Sequence, residues 1–162
     1  MSEPPAIPFP QADSISKVFD TMAYVALNPD ATDNEIADWM AVDSRQGGYY
    51  ANACAYLGLI ERQRILHQGN TLFNRLTAAG QEYISLPNSE RNKFIIKAMA
   101  RHKVFNICLS DVLDGKELSK PYVIALLEKY AIGMDKGTPS RRASTVIGWC
   151  NWVKSILKTD TK

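Results

Sequence analysis

Histidine and cysteine are scarce in this chain, and their placing excludes most of the chemistry they support elsewhere. His67 and His102 are the two histidines, and Cys54, Cys108 and Cys150 are widely spaced, with no CxxC pair and no histidine nearby. An odd number of scattered thiols reads as buried apolar side chains, not as a disulfide framework or a zinc site. Neither histidine falls in a serine-triad motif, and RQGGYY has two glycines but no lysine where a phosphate loop needs one. No apolar run approaches a membrane span, and the opening MSEPPAIPFPQ lacks the charged-then-apolar order of a signal peptide. The expectation is a cytoplasmic protein with no metal, no cofactor and no membrane partner.

What is present is ordinary in amount and uneven in distribution. Apolar content of 46% and charge of 22% over 162 residues are those of a folded chain with a sizeable core. Net charge is +2, yet residues 1–87 hold 5 Lys/Arg against 10 Asp/Glu, a net of −5, and residues 88–162 hold 14 against 7, a net of +7. Such a split points to two functional units, the second inclined towards a polyanion.

Four prolines in the first dozen residues predict an extended tail over 1–12. From Asp13, apolar residues at three- and four-residue intervals (Ile15, Val18, Phe19, Met22, Val25) predict a helix that NPDAT breaks. A second helix follows, with Thr32 and Glu35 spaced as a capping box and Ile36, Trp39 and Met40 as its buried face. Asp43 or Ser44 caps a third helix, which Leu57-Gly58 ends. LIERQRI and TLFNRLT then flank a glycine-containing turn, and LTAAGQEYISL closes the segment as a short helix. Three helices, a hairpin and a helix, in that order, are a winged helix-turn-helix over 13–87. Beyond the boundary at Pro87-Asn88-Ser89, four further helices fill a basic domain over 88–162. The fold class expected is mainly α with a small β-hairpin wing: an N-terminal winged helix-turn-helix plus a helical C-terminal domain, itself a candidate second helix-turn-helix.

Helical phasing of Ser44–Leu57 puts Tyr50, Ala53, Cys54 and Leu57 inward, against Trp39 and Met40, and Arg45, Gly48, Tyr49 and Asn52 outward, with Ser44 and Gln46 near the start. An arginine pairs with guanine or phosphate, an asparagine with adenine, and a glycine allows close backbone approach. The hairpin adds Arg62, Arg64, His67, Gln68 and Asn70 for backbone or minor-groove contact. In TPSRRASTVIGWCNWV, Ala143, Val146, Ile147, Cys150 and Val153 form the apolar stripe, with Trp149 on a flank and Trp152 beyond it. Arg141 and Arg142 are ill placed for the helix dipole unless an anion sits at the helix start, with Thr138 and Ser140 as further donors. Asp111, Asp114 and Glu117 resemble a nuclease carboxylate set, but they fall on a helix end and a turn rather than on strands.

Ala12 to Val153 resembles a winged-helix module of bacterial proteins associated with restriction-modification and related DNA-processing systems. The residues that carry the likeness are EIA on the second helix, RQGGYYANACAYLGLI on the third, LTAAG after the wing, and TPSRRASTVIGWCNWV. The resemblance implies recognition of double-stranded DNA, with Arg45, Gln46, Tyr49 and Tyr50 matching in the third helix and Arg141, Arg142, Thr145 and Val146 in the last. Some longer relatives carry a nuclease domain, for which this chain has no counterpart. The expected function is non-catalytic, sequence-specific DNA binding, in a restriction-type system or as a transcriptional regulator, with a homodimer and a catalytic or regulatory protein acting in trans as candidate partners. The rivals are a protein–protein adaptor anchored by Trp149 and Trp152, and a small metal-dependent nuclease.

Overall fold

The computed structural model describes residues 7–64, 71–131 and 139–160, which divide into two compact units, 16–94 and a discontinuous one joining the residues up to 15 with 95–162. The first unit begins with α1 (Ile15–Leu27), whose Val18, Met22 and Val25 recur at helical spacing and are buried. Asn28-Pro29-Asp30 stops it, Asp30 taking a left-handed conformation with φ 66°. The two residues of β1 (Ala31–Thr32) lead into α2 (Asp33–Met40). Thr32 caps α2 as expected: its hydroxyl accepts from the Glu35 amide at 3.2 Å and donates to the Glu35 carboxylate at 3.1 Å.

Ala41, left-handed at φ 56°, ends α2, and the Asp43 carboxylate opens α3 (Ser44–Tyr56) by accepting from the Gln46 amide at 3.2 Å. The two helices pack closely because position 47 is glycine. A Cβ there would lie 2.2 Å from the Asp33 carbonyl oxygen and 2.9 Å from the Ala37 Cβ. After Gly58, β2 (Ile60–Arg64) and β3 (Leu72–Leu76) pair antiparallel, from Ile60 opposite Leu76 to Arg64 opposite Leu72. β1 joins the other edge of β3, Ala31 opposite Asn74, giving the order β1-β3-β2. The helix α4 (Ala78–Ser85) follows, capped by Thr77. This sequence of elements is the winged helix-turn-helix arrangement, with a third, two-residue strand that periodicity did not reveal.

Trp39 departs from expectation. It shares a helical face with the buried Ile36, yet it is 52% exposed and meets the Tyr24 ring in a tilted contact at 5.1 Å. α2 is only eight residues long, so its last turn overhangs the core its middle covers.

In the second unit, the C-terminal part of α5 (Asn88–Ala100), α6 (Lys103–Leu113), α7 (Lys120–Tyr130) and α8 (Pro139–Asp160) surround a core of Ile95, Val104, Cys108, Val123, Leu127, Val146 and Cys150. Among the described residues this unit has no strand. Residues 7–14 form a strap bound along α8. The Ala12 amide donates to the Thr145 hydroxyl at 2.9 Å, Thr145 donates to Asp13 at 2.8 Å, and the Trp149 indole N–H donates to the Ala12 carbonyl at 2.7 Å. Phe9 stacks on Phe105 at 5.6 Å, and Phe105 on Trp149 at 5.1 Å. Gly148 lets the strap close in, since a Cβ there would stand 2.8 Å from the Asp13 carbonyl oxygen. Trp149 is therefore a core residue, not a flanking one, and cannot serve as an interface anchor. Trp152 is half-buried.

Candidate nucleic-acid interface

The outward surface of α3 is built by its cap and its glycines. Asp43 fixes the first turn, and Gly47 seats the helix against α2, so Ser44 and Arg45 stand exposed with Gln46, Gly48, Tyr49 and Asn52 partly exposed behind them. Tyr50 is only 6% exposed and packs inward. Thr32, Asp33, Asn34, Ser44, Arg45, Gly48, Thr71 and Leu72 line an open concavity of about 440 Å³ between the starts of α2 and α3 and the first residues of β3. Its walls offer a guanidinium, hydroxyls and an amide, the groups that read phosphates and base edges.

Beneath this surface lies a polar cluster that sequence reading missed. The Asp33 carboxylate accepts from Arg62 at 2.7 and 3.2 Å and from the Asn74 amide at 2.9 Å. Asn74 also donates to the Ala31 carbonyl at 2.9 Å and accepts from Arg62 at 3.3 Å. The Arg62 and Asp33 side chains retain 16% and 24% exposure, and Asn74 is fully buried. One carboxylate thus ties the start of α2 to both strands of the hairpin, and Asn74 ties the cluster to β1. Arg62, expected to touch a ligand from the wing, is turned inward to Asp33. Strand alternation carried the signal: Arg62 shares a face with buried Ile60, and Asn74 with Leu72 and Leu76. Arg64, at the end of β2, is exposed. His67, Gln68 and Asn70 lie outside the described residues, as does Thr138.

At the start of α8, Ser140 and Arg141 are exposed. Arg142 is half-buried and its Nε donates to the Phe9 carbonyl at 3.1 Å, which commits the side chain at least in part to the strap. Thr145 is fully buried between Ala12 and Asp13 and leaves no surface for a ligand, so its assignment to the interface is corrected to a strap contact. The matching Val146 is likewise in the core.

All three cysteines are free and buried. Burial pushes the Cys54 and Cys150 thiols far up and the Cys108 thiol up to about 12, so none carries a thiolate nucleophile near neutral pH. Asp111 accepts from the Tyr122 hydroxyl at 2.5 Å and lies 3.8 Å from Lys116, while Asp114 and Glu117 point into solvent. Among the described residues no group of three or more His, Cys, Asp or Glu is placed to hold a metal ion, and no helix is long and apolar enough to cross a membrane.

Element order and site geometry together define a winged-helix protein. The chain belongs to the family described as a domain of unknown function (DUF7226), whose model matches residues 17–158 and so takes in both units. No curated protein matches it in sequence. Among solved structures, a MarR protein from Peptoclostridium difficile is similar over 69% of this chain and 65% of its own, at 20% identity and a TM-score of 0.42. The match thus spans less than two-thirds of that protein's length.

Proposed function

We propose that this protein binds double-stranded DNA without catalysing a reaction on it, and reads sequence through α3. The observation that carries the reading is the α3 surface: Ser44 and Arg45 exposed at a capped helix start, followed by Gln46, Gly48, Tyr49 and Asn52, beside an open concavity. In this reading α3 enters the major groove, with Arg45 and Asn52 at base edges and Ser44 and the first amides at phosphate. The wing contributes Arg64 and, from the hairpin turn, His67 and Asn70 to flanking backbone. Arg62 acts as a positioning residue through Asp33. Ser140 and Arg141, with Thr138 before them and Arg142 behind, contact phosphate at the start of α8. The biological setting is a recognition module of a restriction-type system or a transcriptional regulator, working as a homodimer or with a catalytic or regulatory partner in trans.

Selection of bound duplexes from a random pool, followed by sequencing and a salt titration of the winner, tests this. A recovered motif with steeply salt-dependent affinity is the expected result, and a palindromic motif marks a dimer. Arg45→Ala then relaxes preference at one base pair by about 1–3 kcal/mol. Absence of duplex binding at low salt refutes the reading. One observation favours a second: Trp39 and Leu27, 52% and 83% exposed near the ends of α2 and α1, with Tyr24 in tilted ring contact with Trp39, are exposed apolar side chains of the kind protein partners cover. A chain that binds no DNA and uses this surface is an adaptor.

A further inference from the structure

The second unit carries a concentration of positive charge that neither α3 nor the start of α8 uses. From Ile95 to Ser110 the sequence has three Lys/Arg and no Asp or Glu. Lys97 is exposed on α5, and Arg101, four residues on in the turn after the helix, is exposed as well. Two lysines then converge on one ring: the Lys103 Nζ lies 5.4 Å and the Lys129 Nζ 5.2 Å from the centroid of Tyr130. Among the described residues no carboxylate comes within ion-pair distance of any of these four cations. Two ammonium groups drawn to one ring without counter-charge repel each other, and an extended polyanion relieves that repulsion while releasing its own condensed counterions.

We infer that Lys103 and Lys129, over Tyr130, together with the exposed Lys97 and Arg101 of the same unit, form a second, sequence-independent site for the sugar–phosphate backbone of duplex DNA. The inference rests on the duplex-binding reading above and adds to it a contact that strengthens binding to every sequence alike. Tyr130 holds two of the ammonium groups by cation–π attraction and so keeps flexible side chains gathered before the polyanion arrives.

The test is a salt series on the full chain with a random-sequence duplex, comparing wild type with the triple variant Lys97→Gln, Arg101→Gln, Lys129→Gln. Each phosphate contact contributes about 0.9 to the slope of log affinity against log salt, so the variant's slope falls by about 2–3, equally on random and selected duplexes. The pair Lys97→Gln, Arg101→Gln, confined to two exposed side chains, lowers the slope by about 1.8 and guards against loss of folding in the triple variant. If wild type binds duplex and neither variant changes the slope, the second site is refuted while α3 recognition stands. If wild type binds no duplex at low salt, both fall. If the variants keep duplex binding unchanged but lose single-stranded RNA, the site belongs to another polymer and the inference is overturned.

Discussion

Asp33→Ala removes the acceptor that three hydrogen bonds share, and its cost follows from what is left behind. The Arg62 guanidinium keeps only its 3.3 Å contact with the Asn74 carbonyl oxygen, and Asn74, fully buried, keeps its bond to Ala31. Stranding one partner of a buried ion pair costs about 3–5 kcal/mol; with the Arg62 side chain 16% exposed, water recovers part of that, and a loss of about 2–3 kcal/mol is expected. For a chain of this size each kcal/mol shifts the melting midpoint by about 2–4 °C, so a drop of roughly 5–10 °C follows. Urea denaturation of wild type and variant measures it directly. Adding Arg62→Met to Asp33→Ala removes the stranded charge, and the double variant should recover part of the loss. A loss below about 0.5 kcal/mol, the range of ordinary surface substitutions, would refute the idea that the carboxylate holds the wing to α2. So would a double variant no more stable than Asp33→Ala.

Three further outcomes check other parts of the structure. Gly47→Ala forces α2 and α3 apart and should lower the urea midpoint by an equivalent of about 1–3 kcal/mol, with the slope unchanged. Trp149→Phe removes the indole bond to the Ala12 carbonyl at about 0.5–1.5 kcal/mol, and limited proteolysis should then cut the strap near residues 7–14 faster than in wild type. The Tyr122 hydroxyl, bonded to the Asp111 carboxylate, has its pKa pushed up to about 12. An ultraviolet titration should show one phenol ionising there in wild type and not in Tyr122→Phe. Because the native state holds that proton more tightly, this contact's contribution is intact below pH 10 and declines as pH rises from 10 to 12.

Much of the winged helix was legible because local rules suffice for it. The Thr32–Glu35 box, the Asp43 cap and the Gly58 stop are encoded within a few residues of where they act. What escaped depends on partners distant in sequence. β1 is two residues long, too short for a period, and exists only because β3 lies beside it. Trp149 falls about 60° to one side of Val146 in helical phase, between Arg142 and Thr145, so it reads as a flank until the strap covers that stripe. Trp39 fails in the opposite sense, sharing the phase of a buried face on a helix too short to cover its end. The site divides likewise: exposure at Ser44 and Arg45 follows from helical phase, whereas the inward turn of Arg62 needs Asp33, 29 residues away.

The strap makes the winged helix an insertion within the other unit, and this orders the events of folding. Residues 16–94 are continuous and acquire their internal partners as they emerge from synthesis. Phe9, Ala12 and Asp13 have to wait for Arg142, Thr145 and Trp149, more than 130 residues later. Until then the strap lacks its hydrogen-bond partners on α8, and contacts this distant in sequence are slow to form.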